Sequence, residues 1–279
     1  MSDRLFVTDL DGTLLNSCAS LSDNTVCLLD RFIRAGVPVT YATSRSFYTA
    51  SVLLERVPFR LPCITYNGAY VVMADSGEIL RKNLLDRELF GDILSVAGSM
   101  GLRPFVFGKT PAGEEKLLYD EPDNPAQADF IDTRLSRNDR RLQRQTGDTY
   151  DLCELITLNF IYPPESIRPL AARLAETLGG RISVKVTRDI YNEGYLSLET
   201  SHPDANKGSM LRYLCELLNI DRGAVTVFGD QANDLDMFES AGVRVAVANA
   251  SDELKAAADA VTGSNDDDGV VKYILSQLA

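Results

Sequence analysis

The chain has 279 residues, 45% of them hydrophobic and 24% charged, which is typical of a soluble globular protein with room for two lobes. Its formal net charge of -12 would repel nucleic-acid phosphates, so we expect no nucleic-acid partner. The five cysteines are dispersed and form no CxxC pair, so we expect reduced thiols. The sequence shows no signal region and no apolar stretch of roughly 18 residues, which predicts a cytoplasmic protein with no membrane partner.

Short apolar strands alternate with helices in the first 82 residues. We predict strands at residues 5–7, 37–43 and 63–67, and helices at about 21–35 and 46–56. Gly36 ends the first helix, because glycine is common just after a helix. Strands separated by helices of this length are typical of βαβ units, and they predict a parallel sheet. A hairpin at 69–73 and 78–83 then leads the chain out of this sheet.

A second lobe is predicted for residues 83–190. Helices are predicted at residues 86–100, 126–135 and 165–178, and strands at 104–108, 116–120, 155–162 and 182–186. The polar segment 136–151 is predicted to be a loop. Residues 191–279 return to the first lobe, where the helix–strand alternation resumes from about Lys207. The sequence therefore predicts an α/β protein whose Rossmann-like doubly wound core, 1–82 and 191–279, is interrupted by an inserted α+β domain.

Acidic residues follow two of the apolar strands in the predicted core. Asp9 and Asp11 end the first strand, Asp230 ends the strand in "TVFGD", and Asp234 lies near the start of the next helix. Strand residues two apart point to the same side, and ligands bind beyond the carboxyl ends of open α/β sheets. Four carboxylates in one place repel each other unless a cation neutralises them, and an all-oxygen set suits Mg²⁺. The sequence thus predicts a magnesium site.

A further strand end carries groups that could bind phosphate. Thr43, Ser44 and Arg45 offer hydroxyls, backbone N–H groups and a guanidinium, and Lys207 could add a positive charge. The ordinary alternatives are a helix cap for a hydroxyl and a surface position for a lysine. Asn67 and Gly68, at the next strand end, are candidates for the same cleft, although turn chemistry alone also explains them.

Four motifs together give the chain a family resemblance. The stretches "DLDGTL", "TSR", "ANKGS" and "GDQANDLDM" resemble the four motifs of the haloacid dehalogenase superfamily, in the order that the superfamily has them. Within the superfamily, the chain looks most like the Cof-type branch, whose phosphatases carry a C2-type cap. Three features support this resemblance: the inserted lobe, "YNGA" at 66–69 and "VANA" at 247–250. The resemblance covers nearly the whole chain, although the inserted lobe matches only in its pattern of elements.

The resemblance implies a role for each matching residue. Asp9 would attack phosphorus and form an aspartyl phosphate, and Asp11 would serve as general acid and then general base. Lys207 would orient Asp9 and offset its charge. Mg²⁺ would be held by the Asp9 carboxylate, the Asp11 backbone carbonyl and Asp230, with Asp234 bound directly or through water. The residues implied to contact the phosphoryl group or the substrate are Thr43, Ser44, Arg45, Asn67, Gly68 and Asn233.

The expected activity is Mg²⁺-dependent hydrolysis of a small phosphorylated metabolite. Sugar phosphates are the leading class by resemblance, and phosphorylated cofactors such as pyridoxal phosphate or flavin mononucleotide stay open. One alternative is a phosphomutase, which would return the phosphoryl group to a sugar and depend on a bisphosphate. Another is a non-catalytic sensor of a phosphorylated metabolite, which would not need Asp11. Ser44 departs from the glycine usual in this branch, and the sequence carries no signal of an oligomeric state.

Overall fold

Two stretches of sequence that are far apart along the chain fold together. The residues up to Lys82 and those from Asp204 onward form one unit, and Asn83–Pro203 form a second. The computed structural model describes residues 4–145, 150, 152–189 and 192–278. A parallel sheet in the first unit and a separate sheet in the second confirm the predicted α/β class. Within the described residues, no helix combines the length and apolarity needed to cross a membrane.

The elements are numbered in chain order. The strands are β1 (Leu5–Thr8), β2 (Val39–Tyr41), β3 (Pro62–Thr65), β4 (Tyr70–Met73), β5 (Ile79–Lys82), β6 (Phe105–Lys109), β7 (Glu115–Tyr119), β8 (Leu142–Arg144), β9 (Glu154–Tyr162), β10 (Ser183–Arg188), β11 (Leu196–Ser201), β12 (Val225–Gly229), β13 (Val243–Ala246) and β14 (Ala260–Val261). The α-helices are α1 (Asp23–Arg34), α2 (Phe47–Leu53), α3 (Arg87–Gly98), α4 (Pro125–Ser136), α5 (Pro164–Leu178), α6 (Lys207–Leu218), α7 (Leu235–Glu239), α8 (Asp252–Ala257) and α9 (Gly269–Leu278).

The first unit is built on a parallel sheet with strand order β14-β13-β12-β1-β2. Every residue of β1 and β12 is buried, as expected for parallel strands covered by helices on both faces. Helix α1 contacts α9, whereas α7 contacts both α6 and α8. On the far side of β2, a bridge between Ala42 and Ile64 brings β3 alongside, and β3, β4 and β5 continue as an antiparallel sheet. This arrangement is the predicted Rossmann-like core.

The parallel strands bring three chain segments to one edge of the sheet. Thr8, the last residue of β1, is in register with Tyr41 at the end of β2 and with Phe228 near the end of β12. The segments that follow these strands therefore begin side by side. The N–H of Asp9 donates to the Phe228 carbonyl at 3.0 Å, and the N–H of Ala42 donates to the Thr8 carbonyl at 2.9 Å. All the predicted site residues belong to the first unit.

The second unit has a six-stranded sheet with strand order β10-β11-β9-β6-β7-β8, antiparallel except for the β7–β8 pair. Successive residues of β6 lie in two different hydrophobic cores, because successive side chains of a strand point to opposite faces of the sheet. Val106 packs with buried residues of α3 and α5, such as Ile93 and Leu170. Phe105 packs with Ile131 of α4. Helices thus cover both faces of this sheet.

Two strands of the second unit differ from the sequence prediction. Strand β8 lies within 136–151, which the sequence predicts to be a loop; its three residues pair with β7, so β8 forms an edge of the sheet. Residues 146–149 and 151 of that segment lie outside the described residues. Strand β11 falls in the stretch 191–203, which the sequence predicts to belong to the core. It pairs with β9 on one side and β10 on the other, so the chain returns to the first unit at Asp204.

Candidate functional site

Three buried carboxylates meet at the carboxyl edge of the parallel sheet. Asp9 directly follows β1, Asp230 directly follows β12, and Asp234 ends the short 3-10 turn that precedes α7. One oxygen from each lies within 4.8 Å of the other two, a spacing compatible with a shared metal ion. Asp234 is fully buried, and Asp9 and Asp230 are nearly so. Burial of like charges at this distance is costly, so the cluster requires positive charge nearby.

Lys207 supplies one positive charge to this cluster. It is the first residue of α6, it is only 1% exposed, and its Nζ donates to Asp9 Oδ1 at 2.6 Å and to Asp234 Oδ1 at 2.7 Å. A lysine in the first helical turn opposes the helix dipole, so its place here depends on the two carboxylates. One ammonium group against three carboxylates still leaves an excess of negative charge.

The pKa values of the cluster reflect this imbalance. Burial raises the pKa of Asp9 well above its usual value and Lys207 opposes the increase, while the charges of Asp234 and Asp230 add to it. Burial, followed by the charge of Asp234, raises the pKa of Asp230 to about 6. Burial lowers the pKa of Lys207, but the charges of Asp234 and Asp9 outweigh that effect and raise it overall. The lysine is therefore charged, and the three carboxylates share this single cationic partner.

Hydrogen bonds fix the carboxylates on the Asp230 side of the cluster. Asp234 Oδ2 accepts from the backbone N–H of Asp230 at 3.0 Å and from that of Gln231 at 3.2 Å. The Thr13 hydroxyl donates to Asp230 Oδ1 at 3.3 Å. A β-carbon at Gly229 would lie 2.6 Å from Asp234 Oδ2, so this strand end accepts only glycine without movement. These contacts fix the Asp230 and Asp234 carboxylates relative to each other.

Gly12 gives the first mutational prediction. Its φ of +74° is a left-handed conformation, and a β-carbon there would overlap the Asp230 carboxylate. We expect Gly12→Ala to lower stability by more than the roughly 1–2 kcal/mol that a left-handed alanine costs, because Asp230 must also move. Gly36→Ala is the matched control, since Gly36 has a φ of +80° and open space around its β-carbon position. Equal losses in urea unfolding would contradict the role given to the Asp230 contact.

Asp11 lies apart from this carboxylate cluster. The Arg45 Nε donates to Asp11 Oδ2 at 2.7 Å, and an Arg45 Nη2 donates to Asp11 Oδ1 at 2.5 Å. The Arg45 and Asp11 side chains are 28% and 44% exposed. The first strand therefore places one carboxylate in a buried cluster and a second, two residues later, in an accessible two-point ion pair. Both carboxylates are at the same sheet edge, as the sequence predicts.

The other predicted phosphate-binding residues surround the segment after β2. Thr43 is buried; its hydroxyl accepts from the Arg45 N–H at 3.1 Å, and its carbonyl accepts from the Asn67 N–H at 3.0 Å. Ser44 is exposed. Asn67 adopts a left-handed conformation, with a φ of 53°, and its Oδ1 accepts from Asn233 Nδ2 at 3.5 Å. Hydrogen bonds thus connect the segments that follow β2, β3 and β12.

Gly68 packs against the start of the helix that carries Lys207. A β-carbon at Gly68 would lie 2.6 Å from the backbone carbonyl oxygen of Asn206, the residue that caps α6, and the φ of Gly68 is +104°. Only glycine fits both requirements without strain. The structure therefore gives Gly68 a packing role beside Lys207, next to the substrate-binding role expected from the sequence.

Sequence reasoning missed several residues that hold the turn after Asp11. The Asn249 Nδ2 donates to the Gly12 carbonyl at 2.7 Å, and Asn265 Nδ2 donates to the Leu15 carbonyl at 3.0 Å. The Asn265 N–H in turn donates to Asn249 Oδ1 at 3.0 Å. Asn249 lies in "VANA" and Thr13 lies in "DLDGTL", two stretches that carry the family resemblance but gave these two residues no role. Asn265 had no signal beyond its residue type.

The chain is similar to known proteins in both sequence and fold. The sequence pattern of the haloacid dehalogenase-like hydrolases matches residues 6–274. The chain is 41% identical over 273 residues to a phosphoglycolate phosphatase of Methanothermobacter thermautotrophicus, covering 97% of each chain. It is 29% identical over 298 residues to the Bacillus subtilis 5-amino-6-(5-phospho-D-ribitylamino)uracil phosphatase YwtE, covering 99% of this chain and 98% of that one. A haloacid dehalogenase-like hydrolase from Bacteroides thetaiotaomicron superposes with a TM-score of 0.79 at 26% identity, covering 98% of this chain and 99% of that one.

Proposed function

Because this chain belongs to the haloacid dehalogenase-like hydrolase family and is a phosphoric monoester hydrolase, we propose that it cleaves a small phosphorylated metabolite with Mg²⁺ and through an aspartyl phosphate. The observation that carries the proposal is the buried cluster of Asp9, Asp230 and Asp234 around Lys207. A nucleophile, a place for a cation and a fixed positive charge are the parts that phosphoryl transfer needs.

The residues present fit a magnesium ion. The three carboxylates offer only oxygen ligands, which Mg²⁺ prefers, and their excess negative charge over Lys207 calls for a cation. The raised pKa values of Asp9 and Asp230 point the same way, since a bound cation favours the ionised carboxylates. Asp9, Asp230, Asp234 and the Asp11 backbone carbonyl would hold the ion. When bound, it would neutralise charge on the phosphoryl group.

Two half-reactions would complete the hydrolysis. In the first, the Asp9 carboxylate attacks phosphorus, the ester P–O bond breaks, and Asp11 gives a proton to the leaving oxygen. In the second, Asp11 takes a proton from a water molecule that attacks the aspartyl phosphate, which releases inorganic phosphate and restores Asp9. Lys207 holds Asp9 in place and offsets its charge throughout. Thr43, the Ser44 N–H and Asn233 would bind phosphoryl oxygens.

The proposed substrate class follows from the relatives' names. One relative is named for a phosphorylated ribitylaminouracil and another for phosphoglycolate, which are both small phosphate monoesters. They share the phosphoryl group and differ in the rest of the molecule. We therefore propose a small phosphorylated metabolite, with sugar phosphates and related polyol phosphates as the leading class.

Magnesium removal tests the proposed function. We expect purified protein to release phosphate from part of a panel of phosphorylated metabolites with Mg²⁺, and to lose that activity with EDTA. Without substrate, Mg²⁺ at 100 times its dissociation constant should stabilise the fold by about 2.7 kcal/mol, measured by thermal unfolding. Asp230→Asn should reduce this shift, whereas Asp259→Asn, on the exposed Arg244 pair, should not.

Two results would count against the proposal. Full activity in metal-free protein would remove the role given to the cation. Dependence on a sugar bisphosphate, without release of free phosphate, would instead favour the phosphomutase alternative.

A further inference from the structure

We propose that Arg45 is a positioning residue that acts through Asp11, and that it is not a ligand of the phosphoryl group. The inference rests on the proposed function, because Asp11 has a catalytic role only if proton transfer accompanies phosphoryl transfer. It departs from the sequence expectation, which grouped Arg45 with Thr43 and Ser44 as phosphate-binding residues. The two roles differ in what the guanidinium binds and therefore in what its removal would change.

The contact with Asp11 occupies one complete edge of the guanidinium. Nε binds Oδ2 at 2.7 Å and Nη2 binds Oδ1 at 2.5 Å, so each carboxylate oxygen receives one N–H. This parallel two-point geometry fixes the plane of the carboxylate as well as its distance, which a lysine could not do. A carboxylate has about four lone-pair positions, and the two N–H groups of this guanidinium edge, called the fork below, use two of them. Asp11 therefore keeps free positions that can carry the proton for the leaving oxygen, or accept a proton from water, while Arg45 holds it.

The backbone of Arg45 is itself anchored on two sides. Its N–H donates to the Thr43 hydroxyl at 3.1 Å, and its carbonyl accepts from the Tyr66 N–H at 2.9 Å. Tyr66 and Asn67 both have left-handed φ values, of 49° and 53°. Such conformations cost free energy in residues other than glycine and are found where the surroundings impose them. A firmly held turn thus fixes the base of the Arg45 side chain.

The turn that carries Asp11 is held in the same way. The N–H groups of Leu14 and Leu15 donate to the Leu10 carbonyl at 3.0 and 2.8 Å, and Asn249 binds the Gly12 carbonyl. With both backbones fixed, the guanidinium and the carboxylate are the adjustable parts, and each restricts the rotamers of the other. A half-exposed aspartate without such a partner would sample several rotamers, and few of them would suit proton transfer.

The alternative, in which Arg45 binds the phosphoryl group, makes different predictions. Arginine recognises phosphate as well as carboxylate, so chemistry alone does not separate the two roles. If Arg45 bound the phosphoryl group, it would also bind inorganic phosphate. Its removal would then slow the hydrolysis of every substrate, regardless of the leaving group. A residue that acts through Asp11 would matter most when the leaving oxygen needs a proton, because the benefit of a general acid grows with the basicity of the leaving group.

The test compares Arg45→Met with Asp11→Asn and with the double variant. For an alkyl phosphate from the panel, we expect Arg45→Met to lower kcat/KM about 10- to 100-fold. For p-nitrophenyl phosphate, whose leaving group needs little protonation, the loss should be severalfold smaller, as it should be for Asp11→Asn. The double variant should be no slower than Asp11→Asn alone, and the inhibition constant of inorganic phosphate should change less than about twofold.

Further variants separate this role from loss of structure. Arg244→Met removes a fork of the same Nε and Nη2 geometry, on Asp259, and should leave both kcat/KM values unchanged. Arg45→Lys keeps the charge without the fork and should recover only part of the alkyl phosphate activity. Any of three results would overturn the proposal. They are a tenfold weaker binding of inorganic phosphate by Arg45→Met, equal losses of kcat/KM for the two substrates, and a kcat/KM of the double variant below that of Asp11→Asn. Inactive wild-type protein would instead reject the proposed phosphatase function.

Discussion

Asp9→Asn is expected to lower the rate of phosphate release by about four orders of magnitude or more, the scale of loss when a covalent nucleophile is removed. An amide nitrogen and oxygen replace the carboxylate at the same size, but neither attacks phosphorus as a carboxylate oxygen does. The amide oxygen can still accept from Lys207 Nζ, which binds Asp9 Oδ1 at 2.6 Å. The loss should therefore come from chemistry and not from unfolding, and it is measured as phosphate released per enzyme under saturating substrate.

The thermal stability of this variant is the accompanying measurement. Removing one of three buried carboxylates lowers their mutual repulsion, so without Mg²⁺ the melting temperature of Asp9→Asn should equal or exceed that of the wild type. Asp30→Asn, on the exposed pair with Arg34 in α1, is the control and should keep full activity. Phosphate release by Asp9→Asn at more than a few per cent of the wild-type rate would count against Asp9 as the nucleophile.

Lys207→Met is expected to cause the largest loss of stability. Its ammonium group is buried between Asp9 and Asp234, and removing one member of a buried ionic cluster leaves charges without partners, at a cost of about 3–5 kcal/mol. Methionine has a similar length, so the change removes charge more than volume. Urea unfolding without Mg²⁺ measures the cost. Activity should fall about 100- to 1000-fold, because a preorganised positive charge is lost.

Two control variants test whether the stability lost in Lys207→Met comes from the missing charge. The double variant Lys207→Met with Asp9→Asn should be more stable than Lys207→Met alone, because one of the unpaired charges is gone. Arg244→Met breaks an exposed ion pair with Asp259 and should change stability little, since water already solvates both partners. A Lys207→Met protein as stable as the wild type in metal-free buffer would contradict the account of the cluster.

The core of the site was predictable because parallel sheets follow simple rules. Asp9 and Asp230 each end an apolar strand, and βαβ units bring such strand ends to one edge. Spacing alone could not pair Lys207 with Asp9, which lies 198 residues away along the chain, and that contact was expected only through the family resemblance. Long-range contacts of this kind depend on the order of strands in the sheet, which single-sequence patterns do not encode.

Side-chain partners and strand pairing were less accessible from sequence. Arg45 was expected at a phosphoryl group because a guanidinium suits any planar anion, and the sequence does not say which anion lies nearest. Strand β11 shows the same limit for the backbone, since its alternation of Leu196 and Leu198 fits a strand in either unit. Pairing with β9 and β10 places β11 in the second unit.

The stereochemical course at phosphorus tests the covalent role of Asp9 most directly. The measurement uses a substrate with a chiral, isotopically labelled thiophosphoryl group, hydrolysed in labelled water. Attack by Asp9 followed by attack of water inverts phosphorus twice, so we expect the released thiophosphate to show net retention. Direct attack of water on the substrate would invert phosphorus once, and net inversion would contradict an aspartyl-phosphate intermediate.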